Sequence, residues 1–220
     1  MRVLVPELLD LLPAGDPAAI RSRQDLARIN WVMRQPAIMA RALRKCPAPN
    51  IMADLGSGDG RFLLSVAKRM ALRWPCVTVL ICDQQDIVSA HTRADFAKLG
   101  WRCEVRQGDI FETLPDADII TANLFLHHFD DAALARLLVV AAAKTRAFIA
   151  CEPRRSAFAI LGARMVWALG ANHVTRHDAL VSVRAGFNSR KLTSLWPHHA
   201  WRLDEHGAFP FTHVFAAHAP

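Results

Sequence analysis

The sequence predicts an α/β domain with a doubly wound, mostly parallel sheet of seven strands. Three observations carry this. The apolar stretch 51–55 runs directly into glycines at alternate positions, Gly56, Gly58 and Gly60; strand-like and helix-like patterns then alternate as far as residue 151; and two further strand-like runs joined by a turn follow near residues 201–217.

Taken in order, residues 1–45 carry Leu26, Ile29, Val32 and Met33, then Ile38, Met39, Ala42 and Leu43, at helical spacing on either side of Pro36. Two short helices forming an N-terminal lid are expected, with the main domain spanning 46–220. Strands are expected at 51–55, 77–82, 103–107, 117–122 and 147–151. The helices between them are 61–73, stopped by Pro75; 87–99, stopped by Gly100; and 130–143, with Asp130 and Asp131 placed to cap its first turn. Continuous apolar strands such as 77–82 suit a parallel sheet covered on both faces. Apolar residues from Phe158 to Leu169 form a helical insertion after the fifth strand, read either as a substrate cap over 155–177 or as an ordinary core helix.

Composition bounds the function. A chain of 220 residues, 52% apolar, suits one domain with a full core. The longest apolar run, near Leu134–Ala143, is broken by Arg136 and falls short of a membrane span, and Met1–Pro6 lacks the apolar core of a signal peptide, so a cytoplasmic location is expected. Five cysteines, none in a C-x-x-C pair, indicate neither a disulfide framework nor a metal site; Cys82 and Cys151 are expected as buried apolar groups within strands. Tyrosine is absent, which removes the phenol from the possible bases. The net charge of +7 comes from scattered arginines rather than a basic stripe with interleaved aromatics, so no nucleic-acid partner is expected.

The glycine turn narrows the ligand. Glycine adopts positive φ and has no Cβ, so the backbone here can bend sharply and approach a ligand at a helix N-terminus. A dinucleotide fingerprint needs its third glycine where Arg61 stands, and a P-loop needs a lysine that does not follow. The sequence Asp54-Leu55-Gly56-Ser57-Gly58-Asp59-Gly60 resembles motif I of the class I S-adenosylmethionine-dependent methyltransferases. The resemblance covers about residues 26–217 and is strongest across 50–152. It implies a Rossmann-like methyltransferase fold, ending in a hairpin whose last strand is antiparallel, with S-adenosyl-L-methionine as cofactor.

By this resemblance the backbone of Gly56, Ser57, Gly58 and Gly60 approaches the methionyl part of the cofactor and Asp54 contacts its amino group. Asp83, followed by Gln84, binds the ribose; Asp109 accepts from the adenine amino group, with Ile110 against the ring. Asn123 and Leu124 accept from the methionyl amino group, and Arg28 reaches the cofactor carboxylate from the lid. The segment 121–129 is similar to the ubiquinone and menaquinone methylases and lacks the N/D-P-P-Y pattern of amino-directed DNA and RNA methylases.

His127 and His128 stand where a general base for a hydroxyl or activated carbon is wanted. Arg154 and Arg155, one of them oriented by Glu152, are placed to meet an anionic acceptor, or else form a salt-bridged surface pair. The expected activity is O- or C-methylation of a small aromatic or polyketide-like metabolite. The alternatives are an RNA methylase and a non-catalytic cofactor-binding module that recruits partners; oligomeric state is left open.

Overall fold

A computed structural model describes residues 2–197 and 200–220. The chain opens with a single helical turn, α1 (Leu8–Leu11), followed by α2 (Pro17–Val32) and α3 (Gln35–Leu43). The Asp16 side chain accepts from the amides of Ala18 and Ala19 and so starts α2. The break falls at Arg34, in the left-handed region (φ 58°), and Pro36 sits in the first turn of α3, where its missing N–H removes no helical bond. The expected pair of helices is present, the first much longer than its apolar spacing suggested. Met39, Ala40 and Leu43 of α3 are buried in the main core, so this helix packs on the sheet rather than over its mouth.

The alternating part follows as β1 (Ile51–Leu55), α4 (Arg61–Met70), β2 (Thr78–Asp83), α5 (Ala90–Lys98), β3 (Arg102–Gln107), α6 (Ile110–Thr113), β4 (Ile119–Asn123), α7 (Asp131–Lys144) and β5 (Ala147–Pro153). After it come α8 (Ala157–Arg164), α9 (His173–Ala185), α10 (Lys191–Leu195), β6 (Arg202–Ala208) and β7 (Thr212–His218). The strand order is β3-β2-β1-β4-β5-β7-β6; the first five run parallel, and β7 is antiparallel to both of its neighbours.

Three boundaries move for identifiable reasons. The helix expected at 87–99 begins at Ala90 because Ser89 caps it, accepting from the Thr92 amide. The strand expected at 77–82 runs to Asp83, which pairs with Gln107 of β3. The fifth strand continues past 151 to Pro153 because Glu152 and Pro153 find ladder partners in His213 and Thr212. Asp130 caps α7 as expected, accepting from the Ala133 amide at 2.8 Å. The insertion after β5 comprises α8, a short 3₁₀ turn at Val166–Leu169 and α9, which runs beyond the expected limit of 177.

Alternate residues along each strand feed two apolar layers. Val79, Ile81 and Ile149 face α3 and α4, with Leu63, Val66 and Met70; Leu80, Phe148 and Phe215 face α7, with Leu134, Leu137 and Leu138. Cys82 and Cys151 are buried within strands, as expected. Among the described residues no helix is long and apolar enough to cross a membrane. Phe148 is fully buried and packs against Trp196 and Phe215, with ring centroids 5.5 and 6.3 Å away. Its replacement by alanine is expected to destabilise the fold by roughly 3–5 kcal/mol, read as a lowered denaturant midpoint with unchanged slope.

Candidate cofactor and acceptor cleft

Chain order reverses between β1 and β4, and at such a switch point the carboxyl ends of the strands splay to leave a crevice. A cleft of about 960 Å³ lies there. Gly56 (φ 63°) donates its amide to Cys82 O at 2.8 Å, and a Cβ at Gly56 would stand 2.1 Å from the Phe125 ring, so only glycine fits under that ring. At Gly58 (φ 56°) a Cβ would meet nothing within 4 Å, and this residue lies on the cleft wall. Gly60 differs. It is the N-cap of α4 and packs toward Ile81, behind the wall rather than on it.

Asp54, Gly56, Ser57, Gly58, Asp83, Gln84, Asp109, Ile110, Asn123 and Leu124 all line this one cleft. Asp54 is 2% exposed and accepts from the hydroxyls of Ser57 at 2.5 Å and Thr121 at 2.6 Å. Burial pushes its carboxyl up to about 6 against the pull of those two hydroxyls. Asp83 accepts from the Gly58 amide at 2.8 Å and the Gln85 amide at 3.0 Å, which ties the glycine turn to the end of β2. Asp109 accepts from the Phe111 amide at 2.9 Å and thereby caps α6. Asn123 Oδ1 is buried and has no partner, and Leu124 holds a left-handed conformation (φ 52°), strained for a residue with a Cβ.

The other expected residues separate. Arg28 is not on the cleft wall; it pairs with the buried Asp25, and α2 contributes Arg23, Leu26, Ala27, Asn30 and Trp31 instead. Glu152 does not orient Arg154 or Arg155. It is fully buried and accepts from the amides of Phe125 at 3.0 Å and Leu126 at 2.9 Å, while Arg155 donates to Asn188 at 2.9 Å. His128 lines the cleft, with Nδ1 3.2 Å from an Asp10 carboxylate oxygen.

His127 is 2% exposed and lies behind the cleft wall: Nδ1 lies 2.8 Å from Glu152 Oε2 and Nε2 lies 3.2 Å from Glu7 Oε1. Burial alone would lower its pKa, but the bonds to the two carboxylates outweigh burial and lift it to about 9. His127 is therefore a bound imidazolium at neutral pH in this arrangement, not the free base that the sequence suggested. Burial raises the pKa of Glu7, but its bonds with His127 and Ser182 bring it below the usual carboxylate value.

Sequence reasoning missed Glu7 and Asp10 at this wall. They are brought there because the segment before α2 is fastened across the molecule: Arg2 donates to the carbonyls of Phe129 at 3.0 Å and Ala185 at 2.7 Å, and Asp178 accepts from the amides of Leu8 and Leu9. The charged Arg2 near the start of the chain was the available signal, and its partners lie more than 120 residues away.

Comparison with known proteins agrees with the fold. The structure is similar to the mitomycin 7-O-methyltransferase (21% identity, TM-score 0.61, covering 96% of this chain and 60% of that one). It is also similar to the N,N-8-amino-8-demethyl-D-riboflavin dimethyltransferase of Streptomyces davawensis (21% identity, TM-score 0.61, 98% and 62%) and to the plantazolicin methyltransferase (12% identity, TM-score 0.66, 96% and 93%). The chain spans about three fifths of the length of the first solved structures it matches. No curated protein matches the sequence. A family model described as an O-methyltransferase domain matches residues 22–148; this kinship is shown, and one with the ubiquinone and menaquinone methylases suggested by the segment after β4 is not. The chain belongs to this O-methyltransferase domain family.

Proposed function

We propose that the protein transfers the methyl group of S-adenosylmethionine to the oxygen of a small, flat, aromatic acceptor. The observation that carries this reading is the single cleft on which the glycine turn, Asp54, Asp83 and Asp109 stand in series, continuous with an aromatic wall. The residues fit the cofactor. Asp54 is a buried carboxylate whose partners are hydroxyls rather than a cation, Asn123 offers an unsatisfied acceptor, and Gly58 leaves open space for close approach. Solved relatives carry S-adenosylhomocysteine or S-adenosylmethionine.

When bound, the cofactor supplies an electrophilic methyl on its sulfonium, so the protein's task is alignment and exclusion of water. Asp54 and Asn123 hold the amino end, Asp83 the sugar hydroxyls, and Asp109 with Ile110 the base. Phe125, Phe129 and Phe111 form a T-shaped series with centroids 5.1 and 5.6 Å apart and give the acceptor end an apolar surface. Leu26, Ala27 and Trp31 face the same cleft from α2. His128, with Asp10 behind it, is the imidazole on this wall and is placed to take the proton of the acceptor hydroxyl. Relatives named for mitomycin, calicheamicin and pyocyanin biosynthesis support a small-molecule acceptor. Pairing of Arg61, Arg93, Lys98, Arg102 and Arg106, each with a nearby carboxylate, supports the small-molecule reading over RNA.

The test is methyl transfer from labelled S-adenosylmethionine to a panel of phenols and hydroxyquinones, with and without RNA. Transfer to such an acceptor and indifference to RNA are expected; RNA-dependent turnover alone would overturn the reading.

Two predictions follow from the cofactor end. Asp83→Ala is expected to weaken S-adenosylhomocysteine binding roughly ten- to hundredfold by calorimetry, the worth of a charged hydrogen-bonding group. Asp54 makes binding depend on pH. Its folded pKa lies above its ordinary 3.8, so its contribution to the stability of the ligand-free fold is present below that value and is lost as pH rises through about 6, a difference of about 3 kcal/mol. A bound ammonium favours the ionised form. Affinity for S-adenosylhomocysteine is therefore expected to rise about tenfold per pH unit up to 6 and then level off, with Asp54→Asn removing the slope.

A further inference from the structure

Glu7, His127 and His128 come together at the acceptor end of the cleft, and one ligand atom from each lies within 4.8 Å of the others. Several features of this group go beyond an ion pair. Charge-assisted N–H···O bonds are short, about 2.7–2.9 Å, as the 2.8 Å contact between His127 Nδ1 and Glu152 is. The contact on the other side of the same ring, Nε2 to Glu7 Oε1, is 3.2 Å. Ligands on a tetrahedral ion with bonds of about 2.0–2.1 Å stand about 3.3 Å apart, so this pair already has that spacing, while the His128 atom, within 4.8 Å of both, draws in when the ion binds.

The ring is also oriented as a metal ligand would be. Glu152 is fully buried and pinned by backbone amides, and it engages Nδ1, leaving Nε2 to point at Glu7; metal-bound histidines are held by a carboxylate in this way. The His128 ring lies 4.4 Å from that of His127, with Asp10 at 3.2 Å from its Nδ1. Two imidazoles and one carboxylate are the donor set of a three-ligand zinc site with an open fourth position.

We propose that Glu7, His127 and His128 bind a divalent cation of the zinc type, with its open position on the cleft where an oxygen of the acceptor becomes the fourth ligand. The ion takes the place of the proton between His127 Nε2 and Glu7; in the metal-bound protein His128 is a ligand instead of the free base, and the acceptor hydroxyl, made more acidic by the ion, gives its proton to solvent. No sequence motif announces such a site because Glu7 and His127 are 120 residues apart. The role of the ion as anchor for the acceptor rests on the proposed methyl transfer; its binding does not.

The full chain, stripped with chelator, is to be titrated with Co²⁺ and then with Zn²⁺. The expected result is one equivalent bound at micromolar metal, with the visible absorption of a tetrahedral Co²⁺ centre that Zn²⁺ abolishes. Glu7→Gln and His128→Asn, checked for folding by circular dichroism, are each expected to weaken binding at least about tenfold. Protein that binds S-adenosylhomocysteine but gives no Co²⁺ band, or variants that bind Co²⁺ as the parent does, overturn the site. A Co²⁺ band that both variants weaken, in protein that does not bind S-adenosylhomocysteine, upholds the site and defeats the methyl-transfer reading.

Discussion

One buried carboxylate organises the cleft wall that follows β4. Glu152 sits inside β5 with no exposed surface, where an isolated ion is penalised by several kcal/mol. Donors offset that penalty: the amides of Phe125, Leu126 and His127 and the His127 ring all converge on its two oxygens. These are the residues that leave the end of β4 and turn toward α7. The carboxylate thus gives an irregular connection fixed geometry, and the Phe125 ring that lies over Gly56 is part of the same connection. Shape at both ends of the cleft depends on it.

The gathering of the glycine turn, Asp83 and Asp109 on one cleft was largely legible in the sequence because its signals are local. A strand, a glycine turn and a helix are contiguous in 51–70, and Asp83 and Asp109 each follow the strand that delivers them. Gly60 was read as part of the wall because spacing does not reveal which glycine packs inward. The wall formed by Glu7, Asp10 and the connection after β4 was not legible in the same way. Glu152 drew attention but was assigned to Arg154 and Arg155, because nothing in the sequence showed that β5 would extend to Pro153 by pairing with Thr212. Glu7 and Asp10 lie in a segment without periodicity, and their positions follow from Arg2 and Asp178 bonding across long separations.

The two histidines illustrate what adjacency hides. Neighbours in sequence, they face different surroundings: His127 is enclosed between carboxylates, whereas His128 is on the wall beside Asp10. The intervening backbone is a 3₁₀ turn, Leu126–His128, in which successive side chains diverge by about a third of a revolution. Pattern alone offered two equivalent candidates for one role; burial and partners separate them.

The sheet's construction also bears on how the chain reaches its folded state. β7 is the last strand in chain order yet lies between β5 and β6, matching β5 residue for residue from Ala147↔His218 to Pro153↔Thr212. A nascent chain that has emerged only through β6 therefore presents the whole flank of an apolar central strand with its amides and carbonyls unmatched, the kind of edge that recruits foreign strands. Until residues 212–218 arrive, the most hidden strand of the folded sheet is its most adhesive border.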